Sequence, residues 1–522
     1  MAFRTSHLLV VVSLVGIGAV PAMLRRRLLN LAPNLAPFSI FRASSSNKSL
    51  HSMASSTKPV IVVGSGLAGL AAAHEALKAG ATVHMLERAP KPGGNSIKAS
   101  SGINGAGTVS QHKQGIEDNA ALFYKDTAKS AGARLEQNDV DRQGIIQVLA
   151  EQSASAVEWL INDVRVELDV VALLGGHSVA RTHRGSGNMP PGAAIVTTLL
   201  KTLQQHSRFK LSTSTEATAL DTEDGVVRGL HYQAEDGPCT LQGPVVFAAG
   251  GFAGDAHGML AKYRPDLTGI PSSNENRPGP HGILSAIGAE LIDMDSVQIH
   301  PTGFVDPKEP DSLYKFLAAE MLRGEGGILL RRGKRFINEL DTREVVSKAI
   351  MDDQCSTGDV RQWDVTLLLD PGACEAAASH LGFYQFKGLV EKKKIKDLDP
   401  ETIRSIDTYA SSVESGQDEL GRKSFGHWKL KPGDENRDAE VCLGKVTPIT
   451  HFTMGGVAFN TKAQVLGRDK RGQLVPIPGL WAAGEITGGV HGDNRLGGSS
   501  LLECAVFGRE AGRQAAESAR MM

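Results

Sequence analysis

The chain has 522 residues, with 56 Lys and Arg against 57 Asp and Glu and a formal net charge of -1. That length predicts two or three domains, and the charge balance argues against a nucleic-acid binder, which carries a basic surface. Five cysteines, Cys239, Cys355, Cys374, Cys442 and Cys504, stand far apart with no CxxC or CxxCH spacing, so a disulfide framework, zinc ribbon, iron–sulfur ligation or c-type haem attachment is not expected, and no metal site is read.

In chain order, residues 1–58 read as a leader. They hold no Asp or Glu but carry Arg4, the run Arg25-Arg26-Arg27, Arg42 and Lys48, with an apolar stretch starting at Leu8. Low acidity with Arg and Ser predicts mitochondrial targeting. The apolar stretch leaves entry to the endoplasmic reticulum or membrane anchoring as the alternative, and a start at Met53 would give a cytoplasmic form.

Residues 59–63, Pro-Val-Ile-Val-Val, read as a buried strand. Gly64-Ser65-Gly66-Leu67-Ala68-Gly69 follows, then an Ala-rich helix ending near Gly80, then a strand over residues 82–86 that stops at Glu87, 18 positions past Gly69. This is a βαβ unit with the GxGxxG spacing. Gly64 makes the tight turn, Gly66 lets a pyrophosphate approach the backbone, and Gly69 and Ala68 keep helix and strand close. Glu87 can accept from ribose hydroxyls. The turns Lys91-Pro92-Gly93-Gly94-Asn95-Ser96 and Ser101-Gly102-Ile103-Asn104-Gly105-Ala106-Gly107 come next. Such turns beside the first βαβ unit point to FAD rather than NAD. Residues 111–165 read as helices, and the strand in residues 244–251 ends at the pair Gly250-Gly251, a second flavin contact.

From residue 300 to 450 the βαβ rhythm breaks, with a Lys-rich stretch over residues 391–397 and a polar helix from Asp399. The chain returns with Leu480-Trp481-Ala482-Ala483-Gly484-Glu485 and a C-terminal helix from about Ser500, whose N-terminus can favour an anionic flavin ring. The predicted class is α/β: a Rossmann-type FAD-binding domain, residues 59–299 and 451–522, with an inserted α+β capping domain, residues 300–450.

Three segments carry the chemistry. They are Gln298-Ile299-His300-Pro301-Thr302-Gly303; the stretch holding Glu320, Arg323 and Arg335 to Arg343; and His451-Phe452-Thr453-Met454-Gly455-Gly456 with Gly489-Val490-His491-Gly492-Asp493-Asn494-Arg495-Leu496-Gly497-Gly498. Any one of these residues alone would be an ordinary core histidine or a surface ion pair. Together, two histidines, three arginines and a glutamate in glycine-rich turns suit a dicarboxylate, which arginine holds bidentately while histidine adds a donor.

With those motifs the chain resembles the soluble eukaryotic fumarate reductases and the flavin domain of bacterial flavocytochrome c fumarate reductases over residues 59–518. The resemblance implies reduction of fumarate to succinate by hydride transfer from flavin N5. It implies that His451 and Arg495 grip one carboxylate, that His300 with the segment around Ala319 and Glu320 holds the other, and that Gly498 touches substrate. Arg343 is the implied proton donor, with Glu320 and Arg323 relaying protons to it. Glu87, Asn95, Ser96, Gly102, Asn104, Phe452, Glu485, Ser500 and Leu501 join the glycines as implied FAD contacts. Two departures stand out. Ala319 replaces a common Thr, and Gly279-Pro280-His281-Gly282 replaces Thr-Gly-Asp-Gly near the flavin. No His stands in residues 94–98, where dehydrogenase-type relatives attach flavin covalently, so noncovalent FAD is expected. With no haem or iron–sulfur domain in the chain, the electrons are expected from a diffusible donor, reduced free flavin or a flavin reductase. The alternatives are reduction of another conjugated acid such as urocanate, or a non-catalytic flavin sensor.

Overall fold

The computed structural model describes residues 58–137, 140–187 and 189–521. The leader, and the targeting read from it, lies outside the described residues apart from Lys58.

Six strands form the first sheet, in the order Gln464–Arg468, Leu474–Ala482, Val245–Phe247, Val60–Val63, Val83–Leu86, Phe209–Ser212. All pair in parallel except the first two. Val60–Val63 is buried at every position, as expected where helices cover both faces of a parallel sheet and an alternating pattern would expose apolar groups to nothing but protein. Helix Leu67–Lys78 and the C-terminal helix Ser499–Ala519 pack against each other at backbone contact. A Cβ on Gly508 or Gly512 would collide with the carbonyl oxygens of Ala68 or Ala72. The alanines after the glycine motif are therefore packing residues that let two helices approach closely.

The antiparallel meander Glu216–Glu223, Val226–Ala234 and Gly237–Gln242 sits between the two halves of the parallel sheet in sequence. Sequence reasoning passed over it: most positions of Glu216–Glu223 are exposed, so the apolar alternation that marks a half-buried strand is weak there.

The capping sheet is antiparallel. Its order is Phe316–Leu317, Val297–Phe304, Glu440–Thr453, Val365–Leu369, Ile328–Arg331, Lys334–Arg335, with Glu391–Lys394 also on Glu440–Thr453. Val297–Phe304 and Glu440–Thr453 run across positions 299/300 and 450/451, so the junctions drawn from sequence fall inside strands.

One buried ion cluster ties helix Ala120–Ala131 to the segment before strand Thr182–Arg184. Arg181 is fully buried; its Nε and Nη2 donate to both oxygens of Asp118 at 2.9 and 3.0 Å, and its Nη1 donates to Asp126. Removing such a partner strands buried charge, which costs about 3–5 kcal/mol. Arg181→Ala is therefore expected to lower stability by that amount, read from the denaturant midpoint at unchanged m-value. A loss under about 1 kcal/mol would mean that water reaches the carboxylates.

Candidate active site

A cavity of about 1390 Å3 opens at the C-terminal ends of Val60–Val63 and Val245–Phe247, where parallel α/β sheets bind ligands. On one side it is lined by Gly64, Gly66, Ala68, Glu87, Asn95 and Ser96. Gly102, Gly250, Phe452, Glu485, Ser500 and Leu501 complete that wall. Arg343, His451, Arg495 and Gly498 face the other part.

The first wall fits a flavin dinucleotide. Gly64 has φ +98°, and any Cβ there would strike the Ala248 carbonyl, so only glycine makes this turn. No side chain caps helix Leu67–Lys78 at Gly66; the Leu67 amide donates to Ser96 Oγ at 3.0 Å, and the amides after it are left to an anion such as a pyrophosphate. Glu87 accepts from the Ser65 amide at 3.0 Å, the Ser65 hydroxyl and the Ala89 amide at 2.8 Å. A carboxylate has about four acceptor sites, so one remains for ribose. Two predicted flavin contacts do not line the cavity. Gly69 lies behind it, where a Cβ would enter the Gly64 carbonyl. Asn104 is buried and donates to the Gly497 carbonyl at 2.8 Å and to Ser499 Oγ at 2.9 Å. It braces the turn that carries Gly498.

The other part is a cation cluster drawn from four segments. Arg343 starts helix Arg343–Met351. Its Nε donates to Glu320 at 2.8 Å and its Nη1 to Gln298 Oε1 at 3.0 Å. Arg495 Nη2 donates to the same Gln298 oxygen at 2.9 Å, and its guanidinium lies 4.3 Å from the Phe452 ring centroid. One amide oxygen thus draws two like charges together. His451 Nδ1 and Ser273 Oγ are 2.9 Å apart, and the His451 and His300 rings meet edge to face at 5.4 Å.

A β-bulge sets this geometry. Gln298 pairs with Phe452 and Ile299 with Thr450, so His451 is an extra residue on its strand. Alternation would send neighbours 451 and 452 to opposite faces. The bulge re-aims the chain so that both line the cavity.

His300, Glu320 and Arg323 stand behind the cavity wall. Arg323 is buried and its Nη1 donates to the Glu339 carbonyl at 2.6 Å. His300 Nε2, Arg495 Nε, and Arg323 Nε and Nη2 are buried without hydrogen-bond partners. Buried polar atoms are rarely left so. Arg495 itself lines the cavity, which marks a place for a charged ligand.

Burial shapes the titration here. It would raise the Glu320 carboxyl, but Arg343 and Arg323 hold it down to about 2. Burial, reinforced by Arg343, keeps His300 and His451 well below the ordinary imidazole range, so both are neutral donors or acceptors at pH 7. Burial pushes Glu485 up to about 7, helped by Glu503.

Comparison with known proteins follows this geometry. Residues 59–501 match the FAD binding domain family. Fumarate reductase 1 of Saccharomyces cerevisiae is 44% identical over 481 residues, 87% of this chain and 98% of that protein. The chain belongs to the fumarate reductase family of FAD-dependent oxidoreductases. Fumarate reductase of Schizosaccharomyces pombe is 38% identical, over 88% of this chain and 89% of that one. The open conformation of a flavocytochrome c3 fumarate reductase is 33% identical with a TM-score of 0.70, covering 88% of this chain and 78% of that one.

Within this fumarate reductase fold, Ala319 and His281 do not line the cavity, although the neighbours of His281 do. Ala319 is buried, with its amide donating to Tyr384 Oη at 3.3 Å. His281 is buried edge-on to Phe252 at 5.3 Å, while Gly279, Pro280 and Gly282 line the cavity through their own surfaces. Sequence reasoning gave no role to Gln298, Ser65 or Ser273. Gln298 was accessible from its pattern: it is two positions before His300 in one strand, on the same side of the pleat. Ser65 and Ser273 gave no signal, since each acts only through a partner far along the chain.

Proposed function

We propose that this protein reduces fumarate to succinate with noncovalently bound FAD, taking electrons from a diffusible reduced flavin or a flavin reductase. The observation that carries this reading is the cluster of Arg343, Arg495 and His451 on the cavity beside the flavin cradle, with His300 behind them. FAD, when bound there, supplies the hydride. The protein supplies the rest. Arg495 and His451 hold one carboxylate of the dianion, with His300 packed edge to face behind His451, so that charge developing on the substrate during hydride attack is met by fixed donors. Arg343 stands within the same wall and protonates the second carbon.

Arginine is a weak acid in water, with a pKa above about 12, so it acts here only if its proton is returned at once. Glu320, bonded to it at 2.8 Å, is positioned to return it, and Arg323, whose charge helps hold the Glu320 carboxyl down, is the next group of the relay. Glu320→Gln keeps the shape but cannot pass a proton as a carboxylate does. Turnover is expected to fall about 10²-fold, and the same change in an Arg343→Ala background should cost little more, because the two act as a unit. Additive losses in the double variant would separate Glu320 from the proton path.

The full-length protein, precipitated with acid, should release its FAD to the supernatant, and the native protein should reduce fumarate with dithionite-reduced flavin. Flavin left on the pellet overturns noncovalent binding. Absent fumarate turnover, with good urocanate turnover, would favour an acid with one carboxylate, which leaves one half of the cluster idle.

A further inference from the structure

The capping sheet brings together two cysteines that stand far apart in the chain. Strand Val365–Leu369 lies antiparallel to Glu440–Thr453, with Leu369 opposite Cys442. Asp370 then caps helix Pro371–Ala376, accepting from the Ala373 amide at 2.8 Å. The first turn of that helix carries Cys374 back over the strand it has just left. Its amide donates to the Asp370 carbonyl at 2.9 Å and its thiol to the Leu369 carbonyl at 3.6 Å. The Cys374 sulfur thus returns to the residue that faces Cys442, and the two sulfurs hydrogen-bond to each other. Both are free thiols, Cys442 buried and Cys374 half-buried. Gln385, on helix Ala378–Phe386, donates to Cys442 Sγ at 3.6 Å, and Lys392 is paired with Cys442 from strand Glu391–Lys394.

The two thiols are not equivalent. The Cys374 hydrogen bond, with Lys392 and Gln385 beside it, holds the Cys442 thiol below its ordinary value against the effect of burial. The same contact and burial hold the Cys374 thiol far above. The thiolate is the form that reacts, so Cys442 is the nucleophile and Cys374 the group that resolves. Among the described residues no third His, Cys, Asp or Glu joins them, so the set falls short of a zinc site. We propose that Cys374 and Cys442 form a reversible disulfide with a small peroxide as oxidant, and that closing it slows the enzyme. The Cys442 thiolate attacks one oxygen of hydrogen peroxide; the O–O bond breaks, an S–OH forms and hydroxide leaves, taking up the proton that Cys442 had released. The Cys374 thiol then attacks that sulfur, the S–O bond breaks and a second water leaves as S–S forms. Two thiols give two electrons, and one peroxide becomes two waters. The sulfur that turns to Cys374 is the one Gln385 holds. Beside Gln385, Tyr384 donates to the Leu317 carbonyl at 2.9 Å and accepts from the Ala319 amide at 3.3 Å, and Ala319 directly precedes Glu320. Shifting this helix therefore disturbs the seat of the carboxylate that serves Arg343; this effect on turnover rests on the functional reading above.

The test treats FAD-loaded full-length protein briefly with hydrogen peroxide, blocks the remaining thiols with iodoacetamide and maps its peptides by mass spectrometry. A peptide pair linked through Cys374 and Cys442 is expected, two hydrogens lighter than the free thiols and lost with dithiothreitol. Cys374→Ser should leave Cys442 as a sulfenic acid that dimedone traps. In Cys442→Ser, Cys374 should react about tenfold more slowly than Cys442 does in Cys374→Ser. Fumarate turnover of the linked protein should fall about tenfold at full FAD occupancy, the size of loss that a displaced supporting residue brings, and return with dithiothreitol. Cys374→Ser, which cannot close, should keep its turnover through the same treatment. No linked peptide at a peroxide dose that oxidises Cys239 or Cys355 overturns the proposal, as does a link that forms only in denaturant. Equal reactivity in the two single variants overturns the assigned order of attack, and native turnover in fully linked protein overturns the effect on the enzyme. Absence of fumarate turnover before treatment would instead sink the functional reading, with the disulfide still decided by mass.

Discussion

Arg343→Ala is expected to lower turnover about 10⁴-fold while leaving the flavin bound at native stoichiometry. The side chain is buried at the start of a helix, tied to Glu320 on one side and to Gln298 on the other. None of those bonds belongs to the cradle, so the cofactor should stay. What disappears is the only donor of the relay that faces the cavity, since Glu320 and Arg323 stand behind the wall. Arg343→Lys should fare little better. A lysine offers one compact charge and cannot reach both partners in the fixed fork of a guanidinium. The measurement is kcat at saturating fumarate, with the flavin absorbance per chain as control. Activity above about a tenth of native would remove the proton-donor assignment.

Arg495→Ala is expected to lower kcat/KM for fumarate about 10³-fold, with the loss divided between a higher KM and a lower kcat. A buried, charge-assisted contact to a carboxylate is worth about 2–5 kcal/mol when one partner is truncated, and 1.4 kcal/mol is a factor of ten. Arg495 contributes in two ways. In the proposed reaction it binds the dianion, which would appear in KM, and polarises the double bond, which would appear in kcat. It also shares Gln298 Oε1 with Arg343, so its removal loosens the donor. An unchanged KM would mean that Arg495 does not touch substrate.

Much of the fold was legible from local pattern. The glycine turn, the all-apolar strand and the acidic residue at the end of the next strand each follow from short-range geometry, and all three meet the cavity. The glycine-rich segments around His451 and Arg495 were legible as a family signature. What stayed hidden depends on long-range register. Nothing near Asn104 in sequence says that it will brace Gly497 and Ser499, nearly four hundred positions away. The bulge at His451 is likewise invisible, because it exists only relative to the strand Val297–Phe304. The partly exposed meander at residues 216–242 carries too little alternation to be seen alone.

The strand Glu440–Thr453 has a consequence for how such enzymes diversify. It is one continuous strand whose first half is the spine of the cap and whose end, re-aimed by the bulge, brings His451 and Phe452 to the cavity. The cap is therefore no detachable cassette. Exchanging it between relatives, or trimming it to widen acceptor range, would sever the strand and unseat the reaction centre, so new specificities should arise by point changes within an inherited frame.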